Sequence, residues 1–127
     1  MEAGIKNSLE ITVTKENTAL SMGSGSLEVF ATPAMISLIE GCCYKCVTAF
    51  LEEGQSTVGT KLEIEHLAPT PIGMKVTCNS TLVEVDGRRL VFEVEVFDST
   101  GIVGKGKHER FIINSEKFMA KANSKLD

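Results

Sequence analysis

The sequence predicts an α+β domain in which one antiparallel sheet wraps around one long helix. Three observations carry this. A single run of about 20 residues places apolar side chains at helical spacing. The stretches around it alternate apolar and polar residues with the period of a strand, and turn dipeptides join those stretches too closely for further helices between them.

Each element follows in order. Leu9, Ile11 and Val13 alternate with polar residues as a first strand, and Ser21 to Ser26 has no apolar period and reads as a loop. Thr32-Pro33 opens the helix, with a hydroxyl at the N-cap and proline at the first helical position, and Gly54 closes it. Between them Met35, Leu38, Ile39, Cys42, Cys46, Val47, Phe50 and Leu51 form one broad apolar face. Residues 57–67 are a half-buried strand with Val58, Thr60, Leu62, Ile64 and His66 inward, opposite Lys61, Glu63 and Glu65. Ala68 to Gly73, with Pro69 and Pro71, is a connection. Met74–Val85 and Arg88–Phe97 form a hairpin through Asp86-Gly87. Ser99-Thr100-Gly101 turns into a last strand, Ile102–Ile113, and Ser115 caps a short tail helix. The four strands after the long helix are expected to form a meander.

An antiparallel sheet with one apolar face needs a cover, and the long helix alone is large enough to supply it. A sheet wrapped round one central helix is the hotdog architecture, spanning residues 1–127 as a single domain. Its open sheet edges are expected to pair into a homodimer, with tetramers as a further step.

Composition narrows the function classes. The 127 residues carry 13 Lys plus Arg against 17 Asp plus Glu, a net charge of −4 that argues against nucleic acid as a partner. No apolar stretch approaches the roughly 20 residues of a membrane span, and residues 1–10 lack a basic segment followed by an apolar one, so a cytoplasmic protein is expected. Residues 1–66 hold four Lys against nine Glu, whereas residues 67–127 hold nine Lys plus Arg against eight acids. An anionic ligand would therefore meet mainly the second half. Cys42, Cys43, Cys46 and Cys78 lack the spacing of paired metal ligands and read as small core residues; no metal is expected.

Glu40 falls on the edge of the helix's apolar stripe, beside Cys43 and Val47, where a carboxylate is partly desolvated and available as base or nucleophile. His66 ends an inward row, and imidazole suits proton transfer near neutral pH. Thr32 has the N-cap as its structural role. His108, flanked by charges in Lys107-His108-Glu109-Arg110, is expected at the surface. Gly104 and Gly106 leave a row without side chains that a helix or ligand can approach, and they are no dinucleotide fingerprint, since they lie within a strand and not between a strand and a helix.

Val29-Phe30-Ala31-Thr32-Pro33-Ala34-Met35, Glu40, Leu51-Glu52-Glu53-Gly54, Ser56-Thr57-Val58-Gly59-Thr60, His66-Leu67-Ala68-Pro69-Thr70-Pro71 and Gly106-Lys107-His108-Glu109-Arg110-Phe111 together resemble the fluoroacetyl-CoA thioesterase-like branch of the hotdog thioesterases, over roughly residues 5–122. The resemblance implies hydrolysis of acyl-CoA thioesters by a threonine at the helix start, a glutamate on the helix and a histidine on the next strand, here Thr32, Glu40 and His66. It also implies that Gly59 offers a backbone N–H near the acyl group and that Arg110 is a basic substrate-binding position. The Ser21 to Ser26 loop, where the family's acyl-pocket lid begins, holds no aromatic residue, so the resemblance implies thioester cleavage more than fluoroacetyl specificity.

The implied mechanism has Glu40 attack the thioester carbonyl or activate water, His66 shuttle the proton, Thr32 orient one of them, and the Gly59 N–H stabilise the oxyanion. No cofactor is required, CoA being part of the substrate. Arg88, Arg89, Lys105, Lys107 and Arg110 are candidates for the CoA phosphates. The alternatives are a non-catalytic acyl-CoA-binding hotdog module and a hotdog enoyl hydratase or dehydratase.

Overall fold

The computed structural model describes residues 1–126. Strands β1 (Lys6–Thr12), β2 (Gln55–His66), β3 (Lys75–Asp86), β4 (Arg89–Asp98) and β5 (Gly101–Asn114) make one antiparallel sheet in the order β1-β3-β4-β5-β2. A single turn of helix, α1 (Ala19–Met22), precedes the long helix α2 (Thr32–Val47), and α3 (Ser115–Asn123) follows β5. The hotdog arrangement is thus present: α2 lies on one face of the sheet, and no helix among the described residues is long and apolar enough to cross a membrane.

The core is the inner row of each strand closed onto α2. Met35, Leu38, Ile39, Cys42, Cys43, Cys46 and Val47 pack with Val76, Cys78, Leu82, Leu90, Phe92, Val94, Val96 and Val103. Burying each large member contributes about 1.5–3 kcal/mol. All four cysteines are free and buried, as their reading as small core side chains requires.

Several sequence expectations are corrected. The strands after α2 are no simple meander: β2 pairs with β5, and the connection from Leu67 to Met74 crosses the end of the sheet to reach β3. Alternation reports which face a residue occupies, not which strand lies beside it. The helix ends at Val47 and continues as a 3-10 turn over Thr48–Phe50, so Phe50 is exposed, and Gly54 (φ 83°) serves the turn into β2 instead. Part of the Ser21 to Ser26 stretch is helical because the Thr18 hydroxyl accepts from Ser21 N and caps α1. Asn114, not Ser115, caps α3, accepting from Lys117 N at 3.0 Å.

The consequential correction lies in β2. A bulge between Gly59 and Lys61 inserts Thr60 as an extra residue, so Thr57 and Gly59 share the inner face with Leu62, Ile64 and His66, whereas Val58 does not. The expected inward row is right from Leu62 onward and inverted before it.

Candidate active site

At the start of α2 the Thr32 hydroxyl makes no capping bond; the cap position is Ala31, and Pro33 supplies the helix-compatible backbone. Thr32 Oγ1 instead lies 2.7 Å from His66 Nδ1. His66 is delivered there because it closes β2 opposite Gly104, whose missing side chain makes room for Met35 on α2. The Phe30 ring meets the imidazole edge-on, with centroids 6.5 Å apart and planes at 71°. His66 Nε2 is buried and has no hydrogen-bond partner. Burial pushes the His66 pKa below its ordinary 6.5; the Ala68 backbone opposes this without completing a bond to Nε2.

This pair walls a cleft of about 290 Å³ together with Phe30, and Ala19, Ser24, Val29, Ala31 and Leu67 to Pro69 complete its lining. The crossing loop is tied down rather than loose. Phe30 N donates to Thr70 O at 2.9 Å, and the fully buried Thr70 donates its hydroxyl to Asp98 Oδ2 at 2.9 Å.

A second cluster forms two turns further along α2. The Glu40 carboxylate lies against β2 at Gly59, where a Cβ would stand only 2.8 Å from its Oε2. Arg110 Nη1 approaches the same oxygen at 3.9 Å. Arg110 is itself buried and fully engaged: Nε donates to Thr57 Oγ1 and Nη2 to the Thr57 carbonyl, both at 2.8 Å, Nη1 reaches His108 Nε2 at 3.1 Å, and the guanidinium stands 5.8 Å over the Tyr44 ring. This grip exists because the β2 bulge turns Thr57 and Gly59 inward, directly opposite Ile112 and Arg110 of β5.

The structure thus brings Thr32 to His66, and Glu40 to Gly59 and Arg110, while holding the two groups apart. Thr32 and Glu40 are separated by about 12 Å of helix rise, and no hydrogen bond joins them among the described residues.

His108, expected at the surface, is 1% exposed, stacks on Phe92 with centroids 6.4 Å apart, and donates Nδ1–H to the Lys61 carbonyl at 2.8 Å. The flanking charges misled because Lys107 and Glu109 point to the other face. The signal that finds it is parity: Gly104, Gly106, His108 and Arg110 form one row, and the first of them already faces the helix.

Among the phosphate candidates, Arg110 is enclosed beside Glu40, and Arg89 is held by Glu84 at 2.7 Å and Glu109 at 2.9 Å. Lys105 and Lys107 alternate with that inner row and therefore lie on the outer face, in a groove of about 370 Å³ shared with Glu65, Glu93 and Glu95. That groove mixes charges of both signs and holds no imidazole.

The hotdog scaffold thus carries a helix-borne carboxylate and, apart from it, a hydroxyl–imidazole pair. Comparison with known proteins gives the class, that of the hotdog thioesterases. A family model for the fluoroacetyl-CoA-specific thioesterase matches residues 13–116. The fluoroacetyl-CoA thioesterase of Streptantibioticus cattleyicolor is 42% identical over 98 residues, covering 77% of this chain and 70% of that protein. A threonine-to-serine variant of a fluoroacetyl-CoA thioesterase in complex with acetyl-CoA superposes with a TM-score of 0.95 at 34% identity over 100% of both chains. A thioesterase superfamily member from Thermus thermophilus gives a TM-score of 0.89 at 30% identity, over 97% of this chain and 91% of that one. The chain belongs to the fluoroacetyl-CoA-specific thioesterase family.

Proposed function

We propose that this protein hydrolyses short acyl-CoA thioesters to the free acid and CoA, in the cytoplasm, as a homodimer. Thioester hydrolysis is the activity of its family. The observation that carries the site assignment is the 2.7 Å contact between Thr32 and His66 on the wall of a small cleft, with the second imidazole nitrogen buried and unpaired. An imidazole oriented on one side and free on the other is built to move a proton.

In this reading Glu40 supplies the oxygen nucleophile, through its own carboxylate or through a water it activates. The new C–O bond forms at the thioester carbonyl as the C–S bond breaks; attack by water gives the acid directly, whereas attack by the carboxylate gives a mixed anhydride that a water then hydrolyses, freeing the acid and Glu40. In both routes water supplies the proton that His66 carries to the departing thiolate. Thr32 holds the imidazole, and the Gly59 backbone faces the developing oxyanion. No cofactor is required, since CoA enters with the substrate. The limited volume of the cleft, about 290 Å³, suits a short acyl group, and nothing at Ala19 or Ser24 demands fluorine. For CoA phosphates, Arg88 is exposed and free of the ion pairs that hold Arg89 and Arg110, which makes it the stronger candidate.

The dimer reading rests on β2. It is a 12-residue edge strand with β5 on one side only, and its middle residues, Gly59 to Glu63, are exposed. Two copies paired antiparallel about a twofold axis near Leu62–Glu63 would set Glu40 and Gly59 of one chain beside Thr32 and His66 of the other. That pairing would join the two clusters that one chain holds apart.

The test is release of free thiol from a panel of acyl-CoAs. Hydrolysis by the native protein that disappears in both Glu40→Ala and His66→Ala supports the reading. Hydrolysis no faster than in those two variants across the whole panel would defeat it.

A further inference from the structure

His108 lies outside the expected set of site residues, yet its surroundings fix its chemical state. The Lys61 carbonyl, 2.8 Å from Nδ1, can only accept, so Nδ1 carries a hydrogen. Arg110 Nη1, 3.1 Å from Nε2, can only donate, so Nε2 presents a lone pair. A neutral Nδ1–H imidazole is the one form that satisfies both neighbours. An imidazolium would turn an N–H toward a guanidinium, losing a hydrogen bond and setting two cations together in a buried site.

We propose that His108 is a positioning residue for thioester cleavage: from its anchor on the β2 bulge it holds the Arg110 guanidinium in the place from which Arg110 meets Glu40. This rests on the reading above, in which the Glu40 carboxylate takes part in the chemistry.

The geometry follows one line. The Lys61 carbonyl lies just past the bulge, which is also stitched by Thr60 Oγ1 donating to Glu109 O at 3.2 Å. From there the ring spans to Arg110, and Arg110 reaches Glu40 Oε2. Without the acceptor at Nε2, Nη1 loses its hydrogen-bond partner and keeps only the 3.9 Å approach to Glu40, while the two Thr57 contacts and the Tyr44 ring hold the rest of the guanidinium. Each element packed on His108 is accounted for: α2 offers Glu40, β2 the Lys61 carbonyl, β4 the Phe92 ring, and β5 Arg110 and Glu109. Burial keeps the His108 pKa below its ordinary 6.5, with Arg110 acting in the same direction and the Lys61 carbonyl, Glu40 and Glu109 against it.

The experiment compares His108→Phe, which keeps the flat ring over Phe92 without either nitrogen, with His108→Gln, whose side-chain carbonyl can still accept from Arg110. Thiol release from acetyl-CoA gives kcat and KM for each. His108→Phe is expected to lose on the order of 10²-fold in kcat, the scale of a misplaced catalytic group, with KM little changed. His108→Gln is expected to recover to within about tenfold of the native kcat, having lost one hydrogen bond. In a Glu40→Gln background, His108→Phe should cost nothing further. Equal losses in Phe and Gln, a change confined to KM, or full additivity with Glu40→Gln would overturn the inference.

Nitrogen NMR of histidine-labelled native protein adds a readout that needs no variant to fold. His108 should be neutral with its proton on Nδ1 at pH 7, and an Nε2–H or doubly protonated ring would also overturn the inference. The two readings fail separately. Full hydrolysis by Glu40→Ala removes the role of Glu40 itself, whereas loss in Glu40→Ala beside a native kcat in His108→Phe removes the role of His108 alone.

Discussion

Gly59→Ala is the most discriminating single change in the site, because the structure sets what one methyl group would meet. The added Cβ would stand 2.8 Å from Glu40 Oε2, 3.1 Å from His108 Cε1 and 3.5 Å from Arg110 Nη1. The His108 ring is stacked on Phe92 and tethered to Lys61, so it has little freedom to retreat. Glu40 has room, with 42% of its side chain exposed. Reaching the 3.4 Å at which ordinary contact begins requires the carboxylate to withdraw by at least 0.6 Å, the difference from 2.8 Å. Misplacing a catalytic group by 1 Å can cost about 10²-fold, so 0.6 Å corresponds to a loss on the order of tenfold in kcat.

The fold should tolerate the change far better than the chemistry does. Alanine in a strand recovers roughly 0.5–1 kcal/mol over glycine, against about 1–3 kcal/mol for the pinch on His108. The net cost is about 0–2.5 kcal/mol, a Tm loss of at most about 10 °C for a chain of this size. Thiol release from acetyl-CoA and thermal unfolding followed by circular dichroism measure the two effects on the same sample. A kcat within twofold of native at near-native Tm would refute the claim that the Glu40 carboxylate works from its seat against β2.

Three further outcomes follow from the same geometry. Thr32→Ala should reduce kcat by about tenfold or more through the lost bond to His66, while leaving Tm within about 2 °C, since the hydroxyl is exposed and caps nothing; a Tm loss of the size of a removed N-cap, about 1 kcal/mol, would contradict this. Mixing inactive Glu40→Ala with inactive His66→Ala under conditions of subunit exchange should restore about a quarter of native activity, because half the dimers are mixed and each has one intact site of two; no recovery after verified exchange would mean that both groups act within one chain. Burial lowers the pKa of both His66 and His108, so below pH 6.5 the unfolded chain binds more protons than the folded one. Their contribution to stability is therefore intact above pH 6.5 and is lost as the pH falls from there toward their lowered folded values. Tm measured from pH 8 to pH 5 should decline on the acid side and decline less in His108→Gln; a flat or rising Tm on acidification would refute it.

The sequence reading succeeded where periodicity is undisturbed. The apolar face of α2 through Val47, the edge position of Glu40 and the inward aim of His66 all follow from spacing alone, and the structure places them so. It failed where one residue breaks the count. The extra Thr60 inverts the first half of β2, hiding that Thr57 and Gly59 face the helix and that Arg110 would be gripped by them. His108 was concealed by its charged neighbours, although parity with Gly104 pointed inward. Thr32 sits where an N-cap is expected, but local preference yielded to a tertiary partner 34 residues away. The pairing of β2 with β5 has no local signature, because a strand's partner is decided by where the crossing loop carries the chain.

That crossing loop has a consequence for how such an enzyme can diversify. Apart from Thr32 and His66, the cleft is lined by residues of two connections, Ala19, Ser24 and Val29 to Ala31 on one and Leu67 to Pro69 on the other, whereas Glu40 is seated by β2, β5 and α2. Substitutions at Ala19, Ser24 or Leu67 can reshape the acyl end without disturbing a single contact of Glu40 or Arg110. The residues of these two connections can therefore vary while the strands and the long helix keep Thr32, His66, Glu40 and Arg110 where they are, which leaves a lineage free to change what the cleft accepts.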